Sequence, residues 1–202
     1  MNEIKIIGKI NELLYTATDL CCGWLNKMLP RISDNWWTNC VLDSLSLNQN
    51  QLAQEKGYTE LKQLDLAALL RVIDKNWYAM RNFAYLPTKD RETVRRMMRV
   101  RNTWAHISGT LPSSTNIQED LQVVEAFFYF IQASRQQLEA VEALLNSLDD
   151  LDASELSIED ASSLPTGSKG TIREKSKVRL TSDPSKIGMV FSVETFGPTH
   201  KY

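Results

Sequence analysis

The amino-acid sequence reads as an all-α helical bundle of about five helices, followed by a linker and the start of a small β segment. Three observations lead there. Apolar residues recur at helical spacing through the first three-quarters of the 202-residue chain. No convincing strand pattern occurs before residue 150. Between Asp149 and Gly170 the composition turns to Asp, Glu, Ser, Gly and Pro, the signature of a solvated tether.

The first helix is predicted over residues 3–28, where Ile6, Ile10, Leu13, Leu14, Ala17, Leu20, Cys21 and Trp24 fall on a helical repeat. Pro30 stops it. A second is expected to start after Ser33 or Asp34 and to run through Trp36, Trp37, Val41, Leu42 and Leu45 to about Gln54, with Gly57 beyond it. The third begins near Asp65, an N-cap residue, and reads Leu66, Leu69, Leu70, Ile73, Trp77 and Met80 before Pro87. Thr88 or Asp90 then caps a fourth helix, Arg91 to about His106, ended by Gly109 and Pro112. Ser114 or Thr115 starts the fifth and longest, which passes Phe127, Phe128, Ile131, Leu138, Val141 and Leu145 and ends near Leu148.

Residues 1–148 thus form the helical domain, 149–170 an acidic flexible linker, and 171–202 the beginning of a small β domain. In the last, Lys177–Thr181 and Ile187–Val193 flank a turn at Asp183-Pro184-Ser185 and read as a hairpin. Two strands alone are marginal in water, so the natural protein is expected to continue beyond Tyr202. The segment Val178–Val193 resembles small SH3-like barrels that stand beside helicase cores.

Composition excludes several classes. A hydrophobic fraction of 43% supports one core, and a charged fraction of 24% is ordinary for a soluble chain. The net charge of -2 gives no overall pull on nucleic acid. Cys21, Cys22 and Cys40 have neither disulfide-framework nor zinc spacing and read as reduced thiols. Lys5, Lys9, Glu12 and Asp19 interrupt the first apolar stretch, so it is no signal peptide. No run approaches the roughly 18–20 apolar residues of a membrane span. A cytoplasmic protein without a membrane anchor is expected, and no Gly-rich phosphate loop, metal cluster or cofactor motif is present.

The chemistry concentrates in the fourth helix. His106 is the sole histidine of the folded domain, His200 lying in the tail, and it ends the string Arg95-Arg96-Met97-Met98-Arg99-Val100-Arg101-Asn102-Thr103-Trp104-Ala105-His106. On a helix Arg95, Arg99, Asn102 and His106 share one stripe, while Met97, Val100 and Trp104 face the core. Arg101 points into the flank of the apolar arc, where a guanidinium is costly unless a carboxylate, a phosphate or a partner subunit receives it. The bland reading is a solvated arginine face with a histidine favoured by the helix C-terminus. Trp36, Trp37, Trp77 and Trp104 could stack bases, but their spacing among Leu and Ile suits core and interface aromatics better. Asp65 reads as an N-cap and Asp74 as an ion-pair partner that could receive Arg101. Phe127 to Phe130 could serve both core and dimer interface.

Arg101-Asn102-Thr103-Trp104-Ala105-His106 resembles the R-x4-6-H signature of the HEPN superfamily, in the version with Asn after Arg. Trp36-Trp37 with Val41 and Leu45, and Leu64 to Trp77, are similar to the subgroup named for a eukaryotic transcript quality-control endoribonuclease. The resemblance spans about residues 30–145. In bacteria, similar domains stand at the N-termini of large helicases and ATPases, many of them in phage defence. The resemblance implies a helical bundle that homodimerises and cuts RNA without a metal or other cofactor, leaving a 2′,3′-cyclic phosphate. Arg101, Asn102 and His106 are then the catalytic set, with Arg95 and Arg99 binding the RNA backbone. The expected function is an endoribonuclease module of a larger defence or RNA-quality-control protein. The alternatives are a non-catalytic dimerisation or RNA-binding adaptor for an attached helicase or ATPase domain, and a toxin held in check by a partner.

Overall fold

The structure is a computed structural model that describes the backbone of residues 3–107, 111–162, 177–180 and 183–189, and the side chains of residues 4–107 and 111–148. It divides into two units, Met1–Ser157 and Ile158–Tyr202.

The first unit is all-α among its described residues. Helix α1 spans Glu3–Met28. Its stripe Ile6, Ile10, Leu13, Ala17, Cys21, Leu25 and Met28 recurs every three or four residues and is buried. Pro30 then sits in a 3-10 turn, Leu29–Arg31.

The second expected helix is interrupted. It consists of a π-helical turn at Trp37–Val41, a 3-10 turn at Leu42–Ser44 and helix α2 at Leu47–Glu55. The cause is a capping box at its centre: the Ser46 hydroxyl accepts from the Gln49 amide, and the Gln49 side chain accepts from the Ser46 amide. Leu45 turns to extended backbone to allow it. Arg71 Nε donates to the Ser44 carbonyl at 2.7 Å, and Asn76 Nδ2 lies 2.8 Å from the Cys40 carbonyl. These bonds satisfy acceptors that the irregular turns leave open.

Helix α3, Leu66–Lys75, opens on Asp65 as expected, whose Oδ1 accepts from the Ala68 amide at 2.9 Å. Asn76 interrupts the pattern before the short helix α4, Trp77–Met80. Helix α5 spans Thr88–Ala105. Its cap position is Pro87, without a side-chain cap bond, so Thr88 and Asp90 lie in the first turn rather than capping it. His106 is the C-cap residue; Gly109, expected just beyond, lies outside the described residues.

The long fifth helix is two. Helix α6, Ser114–Phe130, is capped by Ser113 rather than by Ser114 or Thr115. Helix α7 covers Arg135–Ser162. Gln132 breaks them apart by adopting a left-handed φ of 61°, and the Ala133 amide reaches back to the Phe128 carbonyl at 2.9 Å. Ser134 and Gln137 then cap the new start. Helix α7 also continues through residues 149–162, which composition placed in a linker; Leu, Ala and Glu there are good helix formers.

Helix α5 packs against both α3 and α6, and α1 packs against α3. Leu69, Leu70, Ile73, Trp77, Met97, Phe127 and Phe128 are essentially inaccessible at the centre. The Trp77 and Phe130 rings meet at 5.8 Å between centroids. Cys21 and Cys40 are buried free thiols, and burial pushes the Cys21 thiol above its ordinary range. No described helix is long and apolar enough to cross a membrane.

In the second unit, β1 (Lys177–Leu180) pairs antiparallel with β2 (Asp183–Met189). Lys177 faces Met189 and Arg179 faces Ile187. Asp183, Pro184 and Ser185 belong to β2 rather than to the turn, and the ladder is irregular between Arg179 and Leu180. The expected continuation to Val193, and His200, lie outside the described residues.

Candidate active site

Helix α5 sorts its residues as its periodicity requires. Val94, Met97, Val100 and Trp104 are buried, whereas Arg95, Arg96, Arg99, Asn102 and His106 are exposed. This inner face ties the helix down. Trp104 Nε1 donates to Asp120 Oδ2 on α6 at 2.8 Å, so the indole N–H is satisfied under the last turn of α5.

Arg101 occupies the boundary that its helical position implies, with 24% of its side chain exposed. A carboxylate receives it, but from Asp65 and not from Asp74. Arg101 Nη2 donates to Asp65 Oδ2 at 2.6 Å, while Asp65 Oδ1 caps α3. One carboxylate thus fixes the start of α3 and the end of α5 together. Arg101 Nη1 also donates to Asn102 Oδ1 at 3.2 Å.

Asp74 instead receives the other end of the arginine row. Arg91 Nε donates to Asp74 Oδ1 at 2.7 Å and Arg95 Nε at 3.1 Å, with Arg91 Nη2 on the Asp74 carbonyl. Partial burial pushes the Asp74 carboxyl up, but the two guanidiniums outweigh it and hold the group below the usual carboxylate range. Arg91 also lies over the Tyr78 ring at 4.8 Å. Arg99 pairs with Glu92 at 3.3 Å on an exposed surface.

The candidate residues therefore divide between two surfaces. Arg101 lines a groove of about 520 Å³ with Asp65 and Ala105, walled by Asn11, Tyr15 and Thr18 of α1 and by Lys62. Asn102 lines a separate groove of about 270 Å³ with Ser46, Asp74 and Met98. His106 stands exposed at the helix end and makes no side-chain hydrogen bond to a described residue. Arg101 and Asn102 are in contact; Arg101 and His106 are not brought into one described cavity. Among the described residues no cluster of His, Cys, Asp and Glu could hold a metal ion.

Two neighbours escaped the sequence reading. Tyr15 is 76% exposed beside Arg101, and Lys62 adds a cation to the same groove, paired with Glu60 at 2.7 Å. A tyrosine on the polar side of an amphipathic helix is a weak signal on its own, and the sequence gives no register between α1 and α5. Trp77 and Trp104 are core residues, and Trp36 and Trp37 are partly buried and meet edge to face at 5.9 Å. Their rings serve packing.

A family model described as Swt1-like HEPN matches residues 24–132, more than half of the chain. No curated protein and no solved structure matches the chain. The matched region contains both the Trp36–Trp37 motif and the Arg101–His106 string on which the HEPN resemblance rests.

Proposed function

The chain belongs to the Swt1-like HEPN family, which suggests a ribonuclease or RNA-binding role, and from that membership we propose a metal-independent endoribonuclease that cuts RNA with Arg101, Asn102 and His106. The observation that carries this reading is where these side chains end up. All three stand at the C-terminal end of α5, Asn102 and His106 exposed and Arg101 partly exposed at the core boundary, where it lines a groove. A positioned charge at a groove wall is what an added negative charge on phosphorus needs.

The reaction follows from the groups. The ribose 2′-oxygen attacks phosphorus as its proton passes to a base. The bond to the 5′-oxygen breaks as that oxygen takes a proton from an acid, leaving a 2′,3′-cyclic phosphate and a 5′-hydroxyl. An imidazole exchanges protons near neutral pH, and proton transfer of this kind contributes about 10²–10⁴ in rate. His106 supplies one such group per chain. The second proton is exchanged with water, and in a homodimer His106 of one copy pairs with Arg101 of the other at each of two symmetric sites. Arg101 stabilises the phosphorane, Asn102 orients Arg101 through the contact between them, and Arg95 and Arg99 exchange their carboxylate partners for backbone phosphates. We place this module in a larger cytoplasmic defence or RNA-quality-control protein, ahead of a helicase or ATPase domain, with residues 171–202 as the start of the connecting β domain.

The test is cleavage in EDTA. The protein should cut mixed single-stranded and structured RNA to cyclic-phosphate ends, and His106→Ala or Arg101→Ala should lower the rate at least about 10²-fold. Undiminished cleavage by both variants would refute the assignment.

One observation favours a second reading. Asp65 already satisfies Arg101 at 2.6 Å, as it would if the arginine were a clasp between α3 and α5 in a non-catalytic RNA-binding adaptor. That adaptor would bind the same RNA in EDTA and leave it intact.

A further inference from the structure

A third groove, of about 1090 Å³, opens beside the N-terminal end of α5, between the C-terminal half of α1, the Ala84–Pro87 segment and the end of α6. Its aromatic content is unusual for a surface. Tyr85 is 91% exposed and Tyr129 is 59% exposed, so neither ring contributes much to the core. Beneath them Trp24 and Phe130 lie 5.4 Å apart between centroids and give the groove an aromatic floor.

Charge adds the second ingredient. Lys27, Arg31 and Lys89 line the same groove, and none forms a salt bridge among the described residues, although the groove also contains Asp19 and Asp90. Arg31 rests over the adjacent Phe83 ring at 5.3 Å. Unpaired cations beside open aromatic faces combine backbone attraction with base stacking, the two terms of sequence-tolerant single-strand binding. A duplex keeps its base faces covered and could use only the charges.

Gly23 adds open backbone to the groove. It lies inside α1 and lines this groove, and a Cβ there would meet open space. Glycine in a helix interior is less stable than alanine by about 1 kcal/mol, and no packing contact requires it here. The bare helix backbone there leaves room for a ligand to approach closely. Asp19 also lines the Arg101 groove, so α1 forms a wall of both, with Lys27 and Tyr15 about 18 Å apart along the helix axis.

We propose that this groove is a binding site for single-stranded RNA, holding a stretch of the strand away from the scissile phosphate. The proposal deepens the ribonuclease reading and rests on it for the choice of polyanion. A protein partner would need carboxylates placed against Lys27, Arg31 and Lys89 as well as apolar groups on the rings, whereas a single strand brings both along its whole length.

The experiment uses the full chain carrying His106→Ala, so that the probe survives, with a fluorescein-labelled single-stranded uridine 12-mer followed by fluorescence anisotropy. Tyr85→Ala with Tyr129→Ala should weaken binding roughly tenfold or more. Lys27→Glu with Lys89→Glu should flatten the slope of log K against log salt by about 0.7 for each phosphate that is no longer neutralised. Gly23→Ala should raise the melting temperature yet weaken binding, whereas Gly8→Ala, a helical glycine outside the groove with equally open space, should raise it and leave binding unchanged. Unaltered affinity in the tyrosine pair, or no binding of the 12-mer by the parent, overturns the proposal. So does a tyrosine variant that loses self-association in light scattering while keeping RNA affinity, which would make the groove a face between copies. Cleavage by the His106-containing parent decides the ribonuclease reading separately: cutting together with normal binding by the groove variants removes the groove alone.

Discussion

Asp74 and Asp120 are both partly buried carboxylates with N–H donors, yet they move in opposite directions. At Asp120 burial dominates and raises the carboxyl; the Trp104 indole opposes it, and Glu119 adds to it. At Asp74 two guanidiniums overcome the same penalty. The consequences for stability are opposite in sign. Asp74, depressed in the fold, contributes stability that is complete above its unfolded value near 3.9 and lost as pH falls through its lower folded value. Asp74→Asn should therefore lower the melting temperature by a few degrees at pH 7, and the difference should close as the pH drops below about 4. Asp120, raised in the fold, costs stability above its folded value and nothing below its unfolded one. Asp120→Asn keeps an acceptor for the indole, so it should raise the melting temperature at pH 7 and lose that advantage in acid. Thermal melts at pH 7 and pH 3 check both; a loss at Asp74 that persists unchanged in acid would mean that geometry, not charge, holds the pair.

The inner and outer faces of α5 were readable from spacing alone, as was Asp65 as the cap of α3, because both depend on local period and local hydrogen bonds. What the sequence concealed is where helices stop without glycine or proline. The breaks at Leu45 and at Gln132 rest on Ser-x-x-Gln capping boxes, Ser46 with Gln49 and Ser134 with Gln137, set inside runs whose apolar period continues across the interruption. Tertiary satisfaction by Arg71 and Asn76 completes the first break, and residues 27 or more apart cannot be paired by pattern. That Asp65, the cap of α3, receives Arg101 where Asp74 was expected has the same character: only the register of α3 against α5 decides it. At Gln132 the break requires a φ of 61°, where an L side chain is strained. Gln132→Gly should relieve up to about 1 kcal/mol and raise the midpoint of urea denaturation without changing its slope. A lowered midpoint would show that the Gln132 side chain contributes more than its backbone strain costs.

Viewed as one molecule, the fold sets a condition on the proposed chemistry. Arg101 and His106 are five residues apart, which on a helix places them about 140° apart around the axis: Arg101 lines a groove with α1 and Lys62, while His106 is exposed at the helix end. A single copy thus does not aim both groups at one phosphate. Two copies related by a twofold axis can do so, with Arg101 of one chain opposite His106 of the other, because an isologous contact presents the same helix end from both sides. This arrangement has a quantitative signature. Arg101→Ala protein has its His106 intact, and His106→Ala protein has its Arg101 intact. Mixed in equal amounts and allowed to exchange subunits, half of the dimers are hybrids, and each hybrid contains one complete site and one site lacking both groups. The mixture should recover roughly a quarter of the parental cleavage rate although each variant alone is slower by at least about 10²-fold. Light scattering on the same samples establishes that dimers are present. Exchange without recovery would place Arg101 and His106 of one chain in one site, which would require the end of α5 to unwind when RNA binds.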